Sequence, residues 1–97
     1  MNQSLSLRKG TNMRLKETFI SHETNGEQIL VDATSNFSGL IRNNKTAAFI
    51  VGLLGEDTTL EDITDALLEK YDAPREVLAR DAESVIEKLR SVGAIID

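Results

Sequence analysis

The chain contains no cysteine, so disulfide cross-links and thiolate-bound metals are excluded. Histidine occurs once, at His22. It has no sequence-local partner, and covalent or acid–base catalysis needs a nucleophile, a base and an orienting group brought together. The six glycines, Gly10, Gly26, Gly39, Gly52, Gly55 and Gly93, form no phosphate-cradling spacing. The acidic pair Glu56-Asp57 lies between Gly55 and Thr58, a setting that reads as a solvated turn. No apolar run approaches membrane-spanning length, and the start of the chain has no signal-peptide core. These absences lead to the expectation of a cytoplasmic protein that is not an enzyme and uses no cofactor or metal.

What is present suits one small domain. The chain has 97 residues, of which 40% are hydrophobic and 28% charged, enough to bury a core. The formal net charge is −5, unevenly distributed. Arg8, Lys9, Arg14 and Lys16 precede every acid, whereas Leu60 to Arg90 is acidic. An acidic domain is a poor partner for nucleic acid, whose non-specific affinity comes from phosphate contacts. Residues 1–13 lack periodicity and are expected to be a flexible arm, with the domain over residues 14–97.

The first half of the chain reads as strand. Leu15 to Glu23 contains the β-favouring Thr18, Phe19 and Ile20. Asn25-Gly26 follows, a hairpin signal because both residues tolerate positive φ. Gln28 to Ala33 alternates, with Ile29, Val31 and Ala33 on one face and Gln28, Leu30 and Asp32 on the other. After the turn cluster Thr34-Ser35-Asn36, Phe37 to Arg42 makes a third strand. The second half reads as helix. Asn44 is an N-cap, and the apolar run Ala47 to Leu54 predicts a central buried helix ending at Gly55. Thr58-Thr59-Leu60-Glu61 has the form of a capping box for a second helix, with Leu60, Ile63, Leu67 and Tyr71 on its apolar face. Pro74 suits the start of a third helix, which ends at Gly93 and carries Leu78, Ala82, Val85, Ile86, Leu89 and Val92. Three strands followed by three helices predict an α+β domain with the helices packed on one face of an antiparallel sheet.

With catalysis unsupported, binding is the remaining class of function. The third strand, if it lies at an edge, leaves backbone donors and acceptors unpaired, and its side chains alternate between core and exterior. The third helix carries an apolar stripe wider than one core contact needs. A free strand edge beside such a helix is the geometry of peptide capture by β-augmentation.

Phe37-x-Gly39-Leu40-Ile41 followed by Asn44-x-Thr46-x-Ala48-Phe49 resembles the strand-to-helix signature of PqqD-family proteins. The resemblance continues through Leu53-Leu54, Thr58-Thr59, Leu67-Leu68-x-x-Tyr71 and Asp81-Ala82-x-x-Val85-Ile86-x-x-Leu89 to Gly93, covering residues 14–96. It implies a winged helix-turn-helix-like fold. It also implies a non-catalytic recognition element that binds the leader of a ribosomally made precursor peptide and presents it to a modifying enzyme, often of the radical SAM class. Carried over by position, the pairing strand is Gly39, Leu40, Ile41, Arg42 and Asn43, and the helical wall comes from Leu78, Asp81, Ala82, Val85 and Lys88. Asn43 stands where the family usually has leucine, and Ala82 and Val85 are smaller than usual. Arg42, Lys45 and Lys88 are expected to form a basic rim suited to an acidic leader.

Two other readings share this pattern. A winged-helix DNA-binding protein would need a basic recognition helix, yet Arg75, Arg80, Lys88 and Arg90 are balanced by Glu76, Asp81, Glu83 and Glu87. A dimerisation module would pair the exposed edges of two copies. The expected state is a monomer or weak homodimer.

Overall fold

The computed structural model describes residues 12–34 and 40–97. The elements run β1 (Arg14–Leu15), β2 (Phe19–Thr24), β3 (Glu27–Asp32), β4 (Leu40–Asn43), α1 (Lys45–Leu53), α2 (Leu60–Lys70), α3 (Arg75–Ser91) and β5 (Ile95–Ile96). The main sheet is antiparallel with strand order β2-β3-β4, and a two-stranded sheet joins β1 to β5. The architecture is the expected α+β arrangement, with two short strands added at the ends.

The β2–β3 hairpin turns through Asn25 (φ 53°) and Gly26 (φ 80°), the pair of positive φ values that a two-residue turn of this hand requires. Alternation along β3 also behaves as expected. Gln28, Leu30 and Asp32 are buried, while Ile29 and Val31 face outward. The strand expected over Leu15 to Glu23 is instead broken, because Phe19 N–H bonds back to Lys16 O in a turn. Its first part, β1, leaves the hairpin and pairs with the C-terminal β5, Arg14 opposite Ile96. Of the third strand expected over Phe37 to Arg42, the segment Phe37–Gly39 lies outside the described residues, and β4 runs one residue further, to Asn43.

Asn44 caps α1 as expected, its Oδ1 accepting from Ala47 N–H at 2.9 Å. The helix is not buried all round, however. Ala47, Ile50 and Val51 enter the core, while Lys45 and Gly52 are exposed, and the helix ends at Leu53. The cap of α2 is one residue later than the capping box predicts. Thr59 accepts from Asp62 N–H at 3.1 Å, whereas Thr58 forms a β-bridge with Met13. That bridge decides the matter, since the Thr58 backbone is committed to a neighbouring chain segment. Pro74 precedes α3, and Gly93 (φ 77°) takes the left-handed conformation just after its C-cap, Val92.

The core lies between the sheet and the helices. Leu30, Ile50, Leu54, Ile63, Leu67 and Leu89 are fully enclosed. Leu78, Ala82, Ile86 and Leu89 recur on one face of α3, which therefore packs along its whole length. Met13 also belongs to the core, 5% exposed, with its N–H and C=O both bonded to Thr58. The flexible arm expected over residues 1–13 thus cannot include Met13, and its residues 1–11 lie outside the described residues. Among the described residues, no helix is long and apolar enough to cross a membrane.

Candidate functional site

Strand β4 pairs on one side only. Val31, Leu30, Ile29 and Gln28 of β3 lie opposite Leu40, Ile41, Arg42 and Asn43, and among the described residues no strand lies on its other side. Half of the backbone N–H and C=O groups of an edge strand point away from its partner, available to another chain. Beside this edge runs α3. Between the two is an open cleft of about 380 Å³, lined by Arg42 and Asn43 of β4, Asn44, Thr46 and Ala47 at the start of α1, and Asp81, Ser84, Val85 and Lys88 of α3.

Of the ten residues carried over by resemblance, the nine described ones separate into three groups. Arg42, Asn43, Asp81, Val85 and Lys88 meet at the cleft. Leu40 is 53% exposed on the outer face of the sheet. Ile41, Leu78 and Ala82 are buried, so Ile41 can offer an added strand its backbone but not its side chain. Leu78 and Ala82, expected in the helical wall, face the core instead. Helical geometry gives the reason, because both lie on the stripe that ends in Ile86 and Leu89. Gly39 lies outside the described residues.

Sequence reasoning missed Ser84, Thr46 and Ala47. Ser84 was recoverable from the spacing, since residues 81, 84, 85 and 88 share one face of a helix. Thr46 and Ala47 reach the cleft through the turn of chain from β4 into α1, which no local pattern encodes.

Two cations, Arg42 and Lys88, and one acid, Asp81, give the cleft a positive balance on an acidic protein. Neither cation has an ion-pair partner among the described residues. Lys45, expected in the same rim, does not line the cleft. Its side chain runs beside the Gly26 turn instead.

A larger cleft of about 500 Å³ lies between α2 and α3, with Met13, Leu60, Ala79 and Ile86 among its lining. Its arginines are occupied. Arg75 pairs with Asp65 at 2.8 Å, and Arg90 with Asp97 at 2.7 Å. The hydrogen bond to Asp97 raises the Arg90 pKa further above its ordinary value. Ala79, Glu83, Ile86 and Arg90 lie on the opposite side of α3 from Asp81, Ser84, Val85 and Lys88, given about 100° per residue. This cleft therefore does not adjoin the open strand edge. The same ion pairs leave α3 without a clustered basic face, so the DNA-binding reading gains nothing from the structure.

No group of His, Cys, Asp and Glu among the described residues is arranged to hold a metal. His22 is exposed on β2, and Asp57 of the acidic turn pairs with Arg14 at 3.5 Å.

A family model described as coenzyme PQQ synthesis protein D (PqqD) matches residues 27–95. No curated protein matches the chain. Among solved structures, TbiB1 in complex with the TbiA(beta) leader peptide is similar, with a TM-score of 0.72 and 20% identity over 84% of this chain and 93% of that one. A lasso peptide synthetase B1 complexed with the leader peptide is also similar, with a TM-score of 0.73 and 24% identity over 90% of this chain and all (100%) of that one. At these identities the two structures establish a shared fold.

Proposed function

As the chain belongs to the PqqD family, we propose that it is a non-catalytic recognition protein for a ribosomally synthesised precursor peptide. The precursor's leader adds to the sheet as a strand beside β4, and the protein presents it to a modifying enzyme of the radical SAM class in the cytoplasm. The observation that carries this reading is the open edge of β4 facing α3 across a cleft. Backbone hydrogen bonds along the edge supply affinity, and the cleft selects side chains. The two similar structures reported above are complexes with a leader peptide, which supports the same occupant here.

Of the carried-over residues, Leu40, Ile41, Arg42 and Asn43 provide the pairing strand, together with Gly39, while Asp81, Val85 and Lys88 provide the helical wall. The domain, which takes in Met13 as part of its core, acts as a monomer or weak homodimer. The test is an NMR titration of the labelled protein with the synthetic leader of the precursor encoded beside its gene. Amide shifts concentrated on Leu40–Asn43 and on Asp81–Lys88 are expected. Shifts confined to the α2–α3 cleft, or none with a folded sample, would reject the proposal.

A further inference from the structure

The outer face of the sheet is not uniformly polar. Ile20, Val31 and Leu40 stand in a single row across its three strands, Ile20 opposite Val31 and Val31 opposite Leu40. They are 47%, 37% and 53% exposed, and they are the only large hydrophobic residues so exposed on the described strands. The neighbouring row, two residues along each strand, is His22, Ile29 and Arg42. Side chains directly opposite on one face are the stabilising unit of a sheet. Leu40 and Arg42 each have such a neighbour in β3 and, among the described residues, none across the open edge.

We propose that the strand added to β4 carries an apolar residue opposite Leu40 and an acidic residue two positions along, opposite Arg42. This inference rests on the reading of leader capture by strand addition and goes beyond it by naming what the leader must contain. The apolar row then extends to four strands, covering the flank of Leu40 that is now in water. The carboxylate meets a guanidinium that has no ion pair among the described residues. Arg42 is well placed, because it also lines the mouth of the cleft and so borders the space the added strand would fill. Strand alternation turns the intervening leader residue to the other face, toward Val85 and Lys88. The recognised core is therefore apolar–x–acidic, read in whichever direction the added strand runs. Selection occurs on both faces of the sheet, the middle residue being read by Val85 and Lys88 of the cleft wall.

The test uses the full chain and synthetic leader peptides from the precursor encoded beside the gene, with Kd read by fluorescence anisotropy. Replacing the apolar leader residue by Asp is expected to weaken binding by about 5-fold or more, since it removes the apolar cross-strand pair and also places a carboxylate against Leu40. Arg42→Glu should weaken the native leader similarly and be rescued by the leader variant with Lys in place of its acid, as a double-mutant cycle. Leu40→Asp should reduce affinity with unchanged circular dichroism, because the residue is exposed. A leader that shifts β4 amides yet binds every variant within twofold overturns this inference and leaves strand addition standing. A leader that does not bind, or that binds elsewhere, overturns both. Conversion of a dimer to a monomer by Leu40→Asp, with leader affinity unchanged, would assign the row to self-association and reject the inference.

Discussion

Asn43 donates a hydrogen bond from Nδ2 to Gln28 Oε1 at 2.9 Å. The two residues are directly opposite in the β3–β4 register, and both are buried, at 4% and 5% exposure. A one-residue slip would turn every side chain of β4 to the other face. It would place Leu40 and Arg42 inward and leave the buried Gln28 amide without its partner. The pair thus holds the register of the edge strand at the mouth of the cleft.

Asn43→Leu is therefore expected to destabilise the domain. The substitution leaves the Gln28 amide buried without its partner, at a cost of about 1–3 kcal/mol. The double variant Gln28→Leu with Asn43→Leu should recover most of the loss. Urea denaturation of the three variants is the check, and equal losses in single and double variants would count against the pair.

Val85→Arg should abolish leader binding at modest cost to stability. Val85 is half-buried, touching the core but also lining the cleft, so the longer side chain has an outlet to solvent. A loss of at least 10-fold in affinity is expected, with the thermal midpoint lowered by a few degrees, corresponding to about 1 kcal/mol. Unfolding seen by circular dichroism would instead place Val85 within the core, where an unpaired charge is not tolerated.

Charge at the cleft makes association sensitive to salt. If the leader is acidic, raising the ionic strength should slow its association, and Lys88→Glu should do so at constant salt. Stopped-flow measurement of the on-rate tests this. A rate that ignores both changes would remove electrostatic steering from the account.

The α2 cap separates two adjacent threonines. Thr59→Ala removes the acceptor for Asp62 N–H and should cost about 1 kcal/mol. Thr58→Ala keeps the backbone bridge to Met13 and should cost less. The order of the two melting temperatures decides it.

Met13→Ala should be among the most damaging changes near the start of the chain. Truncating a buried methionine opens a cavity and costs about 2–5 kcal/mol. A loss below 1 kcal/mol by chemical denaturation would mean that the residue is not part of the core in solution.

Much of this architecture was legible without coordinates, and for local reasons. Asn25-Gly26 specifies its turn through backbone conformations that few other residues accept. Asn44 caps α1 because a short polar side chain can reach the free N–H three residues on. The 3.6-residue recurrence of Leu78, Ala82, Ile86 and Leu89 sets the buried stripe of α3. The same recurrence should have told against Leu78 and Ala82 as groove residues, since a side chain committed to the core cannot also line a cleft.

Other features are decided by segments distant in sequence, which no local pattern can weigh. Arg14–Leu15 and Ile95–Ile96 are too short to read as strands, and they become a sheet only because folding sets the two ends of the domain side by side. Thr58 and Thr59 are equivalent as caps until Met13 bonds to the backbone of one of them. Lys45 and Lys88 read alike as cations, but packing sends one to the hairpin turn and the other to the cleft. The sequence by itself determined the three strands of the main sheet, the three helices and their order. Which edge is open, which charges face it and which apolar row runs out to it were settled only when strand register and helix packing brought these residues together.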